Sequence, residues 1–139
     1  MTQDIYIPEK RLRGFEQISQ KQWDDDFNNI LEMHQVDYKK HQLPKRGSKT
    51  SAGYDFFSPI NEIIPAHGTA KIPTGVIDSD YYNNPDNEGH MWIKFYNPTD
   101  EDYTIAIGDK IAQGIFTKFL TCGDNPEEER NGGLGSTGK

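Results

Sequence analysis

One cysteine, Cys122, stands in the whole 139-residue chain, so no internal disulfide can hold the fold together. It has no basic neighbour in sequence and reads as a buried or loop thiol, not a nucleophile. Positive charge is scarce as well: 15 Lys and Arg face 22 Asp and Glu, for a net charge of -7 and a pI of about 5.0. Beyond the pairs Lys39-Lys40 and Lys45-Arg46, basic residues cluster only in the short run Lys10-Arg11-Leu12-Arg13. That excludes an extended surface for nucleic acid or anionic membrane. Apolar residues make up 33% and mean hydropathy is -0.86. No run approaches the roughly 20 apolar residues of a membrane span, or the core of a signal peptide. Together these absences predict a cytoplasmic protein with no nucleic-acid and no membrane partner. The four histidines, His34, His41, His67 and His90, lack the paired spacing of a zinc site and read as surface residues. There is no Gly-x-Ser-x-Gly elbow, no Gly-x-x-x-x-Gly-Lys-Ser/Thr loop and no Cys-x-x-Cys pair, which removes support for the common nucleophilic and P-loop chemistries.

What is present begins with a short apolar-polar run, Gly14 to Ile18, that reads as a strand. A helix follows. Ser19 with Gln22 three residues on forms a capping-box pattern, and Trp23, Phe27, Ile30 and Leu31 fall on one face. Asp24, Asp25 and Asp26 occupy early turns where the helix dipole favours acids; consecutive helical positions point apart, so the triplet reads as a solvated face. From Leu43 onward the signals are strands and turns. Met91, Ile93 and Phe95 alternate with Trp92, Lys94 and Tyr96, and Tyr103, Ile105 and Ile107 alternate before Gly108-Asp109 turns the chain into Ile111-Ala112-Gln113. This spacing predicts a sandwich or jelly roll. Three segments follow: 1–42, a strand and helical extension; 43–122, a β core; and 123–139, a glycine-rich arm too poor in apolar residues to pack.

Four pieces carry chemistry: Ala52-Gly53-Tyr54-Asp55; Gly75-Val76-Ile77-Asp78-Ser79-Asp80-Tyr81; Gly108-Asp109-Lys110-Ile111-Ala112-Gln113; and Arg130 through Gly138. Taken singly, each has an ordinary structural reading, as a turn acid, a capping Asp-x-Asp, a strand-end amide or a disordered tail. Taken in this order, they closely resemble motifs one, three, four and five of the deoxyuridine triphosphate diphosphatases (dUTPases). Leu43-Pro44-Lys45-Arg46, Ser58-Pro59 and the Asn83 to His90 loop also resemble that family, and the likeness runs from Arg13 to Lys139. The resemblance implies a mainly β fold, the dUTPase-like distorted jelly roll (β-clip), here truncated and with one short N-terminal helix.

It also implies hydrolysis of dUTP to dUMP and pyrophosphate by a homotrimer with Mg²⁺, in a protein of phage or bacterial type. Each trimer site would draw on three subunits. Cleaving between the α- and β-phosphates needs an in-line water, a base to orient it and neutralised phosphate charge. By resemblance Asp78 is the base, while Tyr81 lies against the deoxyribose and rejects a 2′-hydroxyl. Asp55 helps position hydrated Mg²⁺ through water. Gln113 donates to phosphate oxygens, Arg130 pairs with the γ-phosphate, and Gly135, Ser136 and Thr137 cradle the outer phosphates. Leu134 stands where the family carries a phenylalanine over uracil, a loss on the order of 1 kcal/mol.

In Ile72-Pro73-Thr74-Gly75-Val76-Ile77-Asp78, two family landmarks that are normally separate share Gly75 and Val76. The interval between them carries motif two, an Arg-Ser strand end whose serine contacts phosphate, and one arm of the uracil-reading hairpin. This chain has no Arg-Ser pair, and its arginines are Arg11, Arg13, Arg46 and Arg130. An internal deletion of roughly 40 residues, three or four strands with their turns, accounts for this. The expected consequence is reduced or absent turnover. The alternative is a catalytically inactive module that binds nucleotide or protein. The related deoxycytidine triphosphate deaminases share the fold, but the glycine-rich closing tail favours diphosphatase.

Overall fold

Ser19 opens the helix α1 (Gln20–Asp26) from an extended backbone, its Oγ accepting from the Gln22 N–H at 3.1 Å. The other half of the predicted capping box comes from elsewhere. Glu88, far along the chain, takes the Ser19 N–H at 2.9 Å and the Ser19 hydroxyl at 2.6 Å. Gln22 instead donates along the helix to Asp26. A helix of 7 residues is too short to persist alone, so packing must hold it. Trp23 and Phe27 are buried and stacked, with ring centroids 4.2 Å apart. Leu31, expected on the same face, is 67% exposed. The helix stops at Asp26, and without another turn Leu31 cannot continue its stripe.

The computed structural model describes residues 14–77, 85–118, 120, 122 and 123. Its strands form three small antiparallel sheets. β1 (Lys45–Arg46), β2 (Tyr54–Phe57) and β7 (Lys110–Gly114) lie in the order β1-β2-β7, β3 (Glu62–Ile64) pairs with β6 (Tyr103–Ile105), and β4 (Thr69–Ile77) pairs with β5 (His90–Tyr96). The predicted alternation in β5 is present: Met91, Ile93 and Phe95 are half-buried and the residues between them exposed. In β6 only Ile105 is buried, and Tyr103 is exposed. The Gly108 turn does not fold β6 back on itself; it carries the chain from β6, beside β3, to β7, beside β2. The predicted Gly14 to Ile18 strand reduces to one bridge, Gln17 to Val76. Two main-chain bonds flank it, Ile18 N–H to Gly75 O at 3.1 Å and Ile77 N–H to Glu16 O at 2.9 Å.

Ile18, Trp23, Phe27, Ile60, Ile64, Ile72 and Ile105 form the core. The N-terminal segment therefore supplies large core side chains and is packed against the strands.

β4 runs unbroken through Gly75 and Val76, where the two family landmarks meet. Gly75 takes φ +75° inside the strand, and the register slips between Pro73 and Ile77. This is a bulge, a device that admits extra residues and bends a strand. Thr74 fills it: its hydroxyl donates to Met91 O at 2.7 Å and accepts the Val76 N–H at 3.2 Å.

Two of the four histidines are not surface residues. His90 is 5% exposed, and His41 is half-buried. Asp26, expected on a solvated face, instead bonds His90 Nδ1 at 2.5 Å. No local spacing could reveal a partner 64 residues away.

Candidate functional site

Asp55 sits in β2 between cross-strand neighbours, Lys45 on β1 and Gln113 on β7. Directly opposed residues share a face, which is why two positions far apart in sequence can meet here. Gln113 Nε2 donates to Asp55 Oδ1 at 3.0 Å, and Lys110 Nζ lies 3.4 Å from Oδ2. Gly53 makes room for the amide, since a Cβ there would stand 2.8 Å from Gln113 Oε1. The Gln113 bond holds the Asp55 carboxyl below the usual carboxylate range; burial opposes this and Lys110 reinforces it. Asp55 is thus an anion at neutral pH with unused lone pairs. It fits an outer contact to a hydrated hard cation, because such an ion needs few protein ligands when phosphate and water supply the rest. Among the described residues, no group of three or more His, Cys, Asp or Glu could hold a metal directly.

Beside this pair lies an apolar cavity of about 260 Å³, walled by Phe15, Phe56, Ile77, Met91, Ile93 and Phe116, with Gln113 as a polar group on its lining. Phe15 packs against Phe56 and Phe116 at ring distances of 5.5 and 5.1 Å. Such a wall suits an uncharged ring better than a phosphate.

Of the residues singled out in the sequence, Asp55 and Gln113 are brought into contact. Asp78, Tyr81, Arg130, Leu134, Gly135, Ser136 and Thr137 lie outside the described residues. Lys110 belongs to the same motif as Gln113, and its place beside Asp55 depends on the β2–β7 register, which no local pattern encodes. Cys122 is exposed. No helix among the described residues is long and apolar enough to cross a membrane.

The dUTPase family profile matches residues 70–138. The deoxyuridine 5'-triphosphate nucleotidohydrolase of Lactococcus lactis is 38% identical over 131 residues, an alignment spanning 69% of this chain and 87% of that one. The mitochondrial enzyme of the same name from Dictyostelium discoideum is 33% identical over 132 residues, covering 69% and 70%. That of Arabidopsis thaliana is 33% identical over 136 residues, covering 72% and 78%. Among solved structures, the dUTPase of Streptococcus mutans superposes with a TM-score of 0.61 at 29% identity, over 79% of this chain and 98% of that one.

Proposed function

The chain belongs to the dUTPase family, and we propose that it recognises dUTP with Mg²⁺ while hydrolysing it at a severely reduced rate or not at all. The observation that carries the recognition half is the Asp55–Gln113 contact. It brings the first and fourth chemical motifs together across 58 residues of sequence. Asp55 would hold the cation through water, and Gln113 would offer its amide to phosphate oxygens. When bound, Mg²⁺ supplies neutralisation of the phosphate charge.

In this assignment Asp78 accepts a proton from the attacking water, worth about 10²–10⁴ in rate when well placed. Tyr81 closes the sugar side, Arg130 pairs with the terminal phosphate, Gly135, Ser136 and Thr137 hold the outer phosphates, and Leu134 covers the base. The assembly proposed is a homotrimer, checked by mass in solution.

Support for impaired turnover comes from what has no counterpart. In the Lactococcus alignment 69% of 139 residues is about 96, about 35 short of the 131 aligned positions. A gap of that size fits loss of the interval that carries motif two. Losing one preorganised donor to a developing charge typically costs about 10²–10³ in rate. The same gap supports the second reading, an inactive nucleotide- or protein-binding module. Calorimetry with a non-hydrolysable dUTP analogue and Mg²⁺, beside a pyrophosphate-release assay with dUTP, tests both. Binding with slow release is expected of the crippled enzyme, and binding with none of the module; no binding in calorimetry refutes dUTP recognition.

A further inference from the structure

The bulge in β4 is gripped from both sides by imidazoles in opposite tautomers. On one side the Gly75 N–H points at His90 Nε2 at 2.9 Å. An amide can only donate, so Nε2 carries a lone pair and the ring proton sits on Nδ1, which donates to Asp26. On the other side His41 Nε2 lies 2.7 Å from Thr74 O. A carbonyl can only accept, so here Nε2 carries the proton. The His90 side chain is 0% exposed and that of Asp26 19%. Gly75 has no room to shift, because even a Cβ would stand 2.8 Å from Trp23 and 2.9 Å from His41.

We propose that His90, oriented by Asp26, is a positioning residue: it clamps the Gly75 amide, fixes the end of β4 that leads directly into Asp78, and releases it on acidification. The link to Asp78 rests on the dUTP reading above; the clamp itself does not.

The mechanism is a change of donor count. Neutral His90 offers one acceptor, to Gly75, and one donor, to Asp26. A second proton must go to Nε2, leaving two donors face to face at Gly75. The imidazolium keeps Asp26, and the Gly75 amide loses its partner. The charged or titratable groups facing His90 are Asp26 from α1, Glu88 from the turn before β5, and His41 across the bulge. The first two favour the His90 cation, and His90 in turn lowers His41. Burial lowers the His90 value, the two acids only partly offsetting it. His41 is likewise lowered, by burial first. For a histidine held neutral by the fold, the stability it adds is present above its unfolded value of about 6.5 and is lost as pH falls through the lower folded value. Release therefore belongs below about pH 6.5.

The test uses the full chain labelled with ¹⁵N. At pH 7.5, imidazole spectra should show His90 protonated at Nδ1 and bare at Nε2, with His41 in the reverse state. Between pH 7.5 and about pH 5, exchange protection of the Gly75 amide, corrected for intrinsic rate, should fall at least tenfold while core amides such as Ile72 keep theirs. The variant His90→Gln retains an acceptor and a donor but cannot titrate, so it should keep Gly75 protected throughout. Asp26→Asn leaves an acceptor but no charge, and should move release to lower pH. Wild-type protection that does not change with pH, or a loss in His90→Gln equal to that in wild type, would overturn the clamp. In parallel, affinity for the non-hydrolysable dUTP analogue with Mg²⁺ should weaken with Gly75 release in wild type and hold in His90→Gln. Equal weakening in both would overturn the positioning role. Absence of binding at every pH would overturn the dUTP reading, and the Gly75 exchange data would still decide the clamp.

Discussion

Replacing Gly75 by alanine probes the bulge where two family landmarks meet, and two separate costs can be worked from the structure. The first is conformational: φ is +75°, and a left-handed backbone costs an L-residue about 1–2 kcal/mol. The second is steric. The new methyl would meet Trp23 Cζ3 at 2.8 Å, His41 Cδ2 at 2.9 Å and His41 Nε2 at 3.0 Å. Neither neighbour is a loose chain end, since Trp23 is stacked on Phe27 and His41 is bonded to Thr74. Overpacking of a well-filled site costs about 1–3 kcal/mol. The sum, about 2–5 kcal/mol, is a large share of the roughly 5–15 kcal/mol that holds a domain together. Gly108→Ala is the control, because φ there is +89° and a Cβ would meet nothing within 4 Å. It should show the conformational cost alone. Urea unfolding at one fixed protein concentration measures both; with a slope of about 2 kcal/mol per molar, Gly75→Ala should lower the midpoint by about 1–2.5 M. If it shifts the midpoint no further than Gly108→Ala, the steric account of the bulge is refuted.

Other outcomes follow from the same contacts. Ile72, which is 0% exposed, should lose about 2–5 kcal/mol on truncation to alanine in urea unfolding, whereas Leu31→Ala, at a position 67% exposed, should stay within about 0.5 kcal/mol. Thr74→Val keeps the volume but strands the Val76 N–H and Met91 O, so unfolding free energy should fall by about 1–3 kcal/mol. Gln113→Ala should weaken binding of the dUTP analogue by about tenfold or more in calorimetry, if its amide meets charged phosphate. It should also let the Asp55 carboxyl rise toward its ordinary value, read from its carboxyl carbon shift. A lowered acid adds stability above its unfolded pKa and loses it as pH falls through the folded one, so the variant's acid-unfolding limb should move to higher pH.

How far the fold could be read in the sequence depends on the range of the interaction concerned. The alternation of Met91, Ile93 and Phe95 is a local period of two, and it appears as read. So does the start of α1 at Ser19, whose cap is formed within three residues. The end of that helix was not legible, and Leu31, expected on its buried face, is exposed because the helix stops at Asp26. Gly75 stood out in the sequence only as the residue two family landmarks share. Whether a positive φ makes a turn or a bulge depends on the strand beside it, and β5 settles that. His90 reads as ordinary from its neighbours in sequence; it packs against Asp26, the last residue of α1, and Phe27, its C-cap. Asp55 and Gln113 were each legible through their motifs, and their contact was not, since it rests on sheet register.

The most direct test of impaired turnover in a dUTPase-family chain is pyrophosphate release from dUTP with Mg²⁺, measured beside the intact Lactococcus relative at equal protein concentration. A rate at least about 10²-fold lower, as expected for loss of preorganised phosphate donors, is the predicted result. A rate matching that of the relative would contradict it.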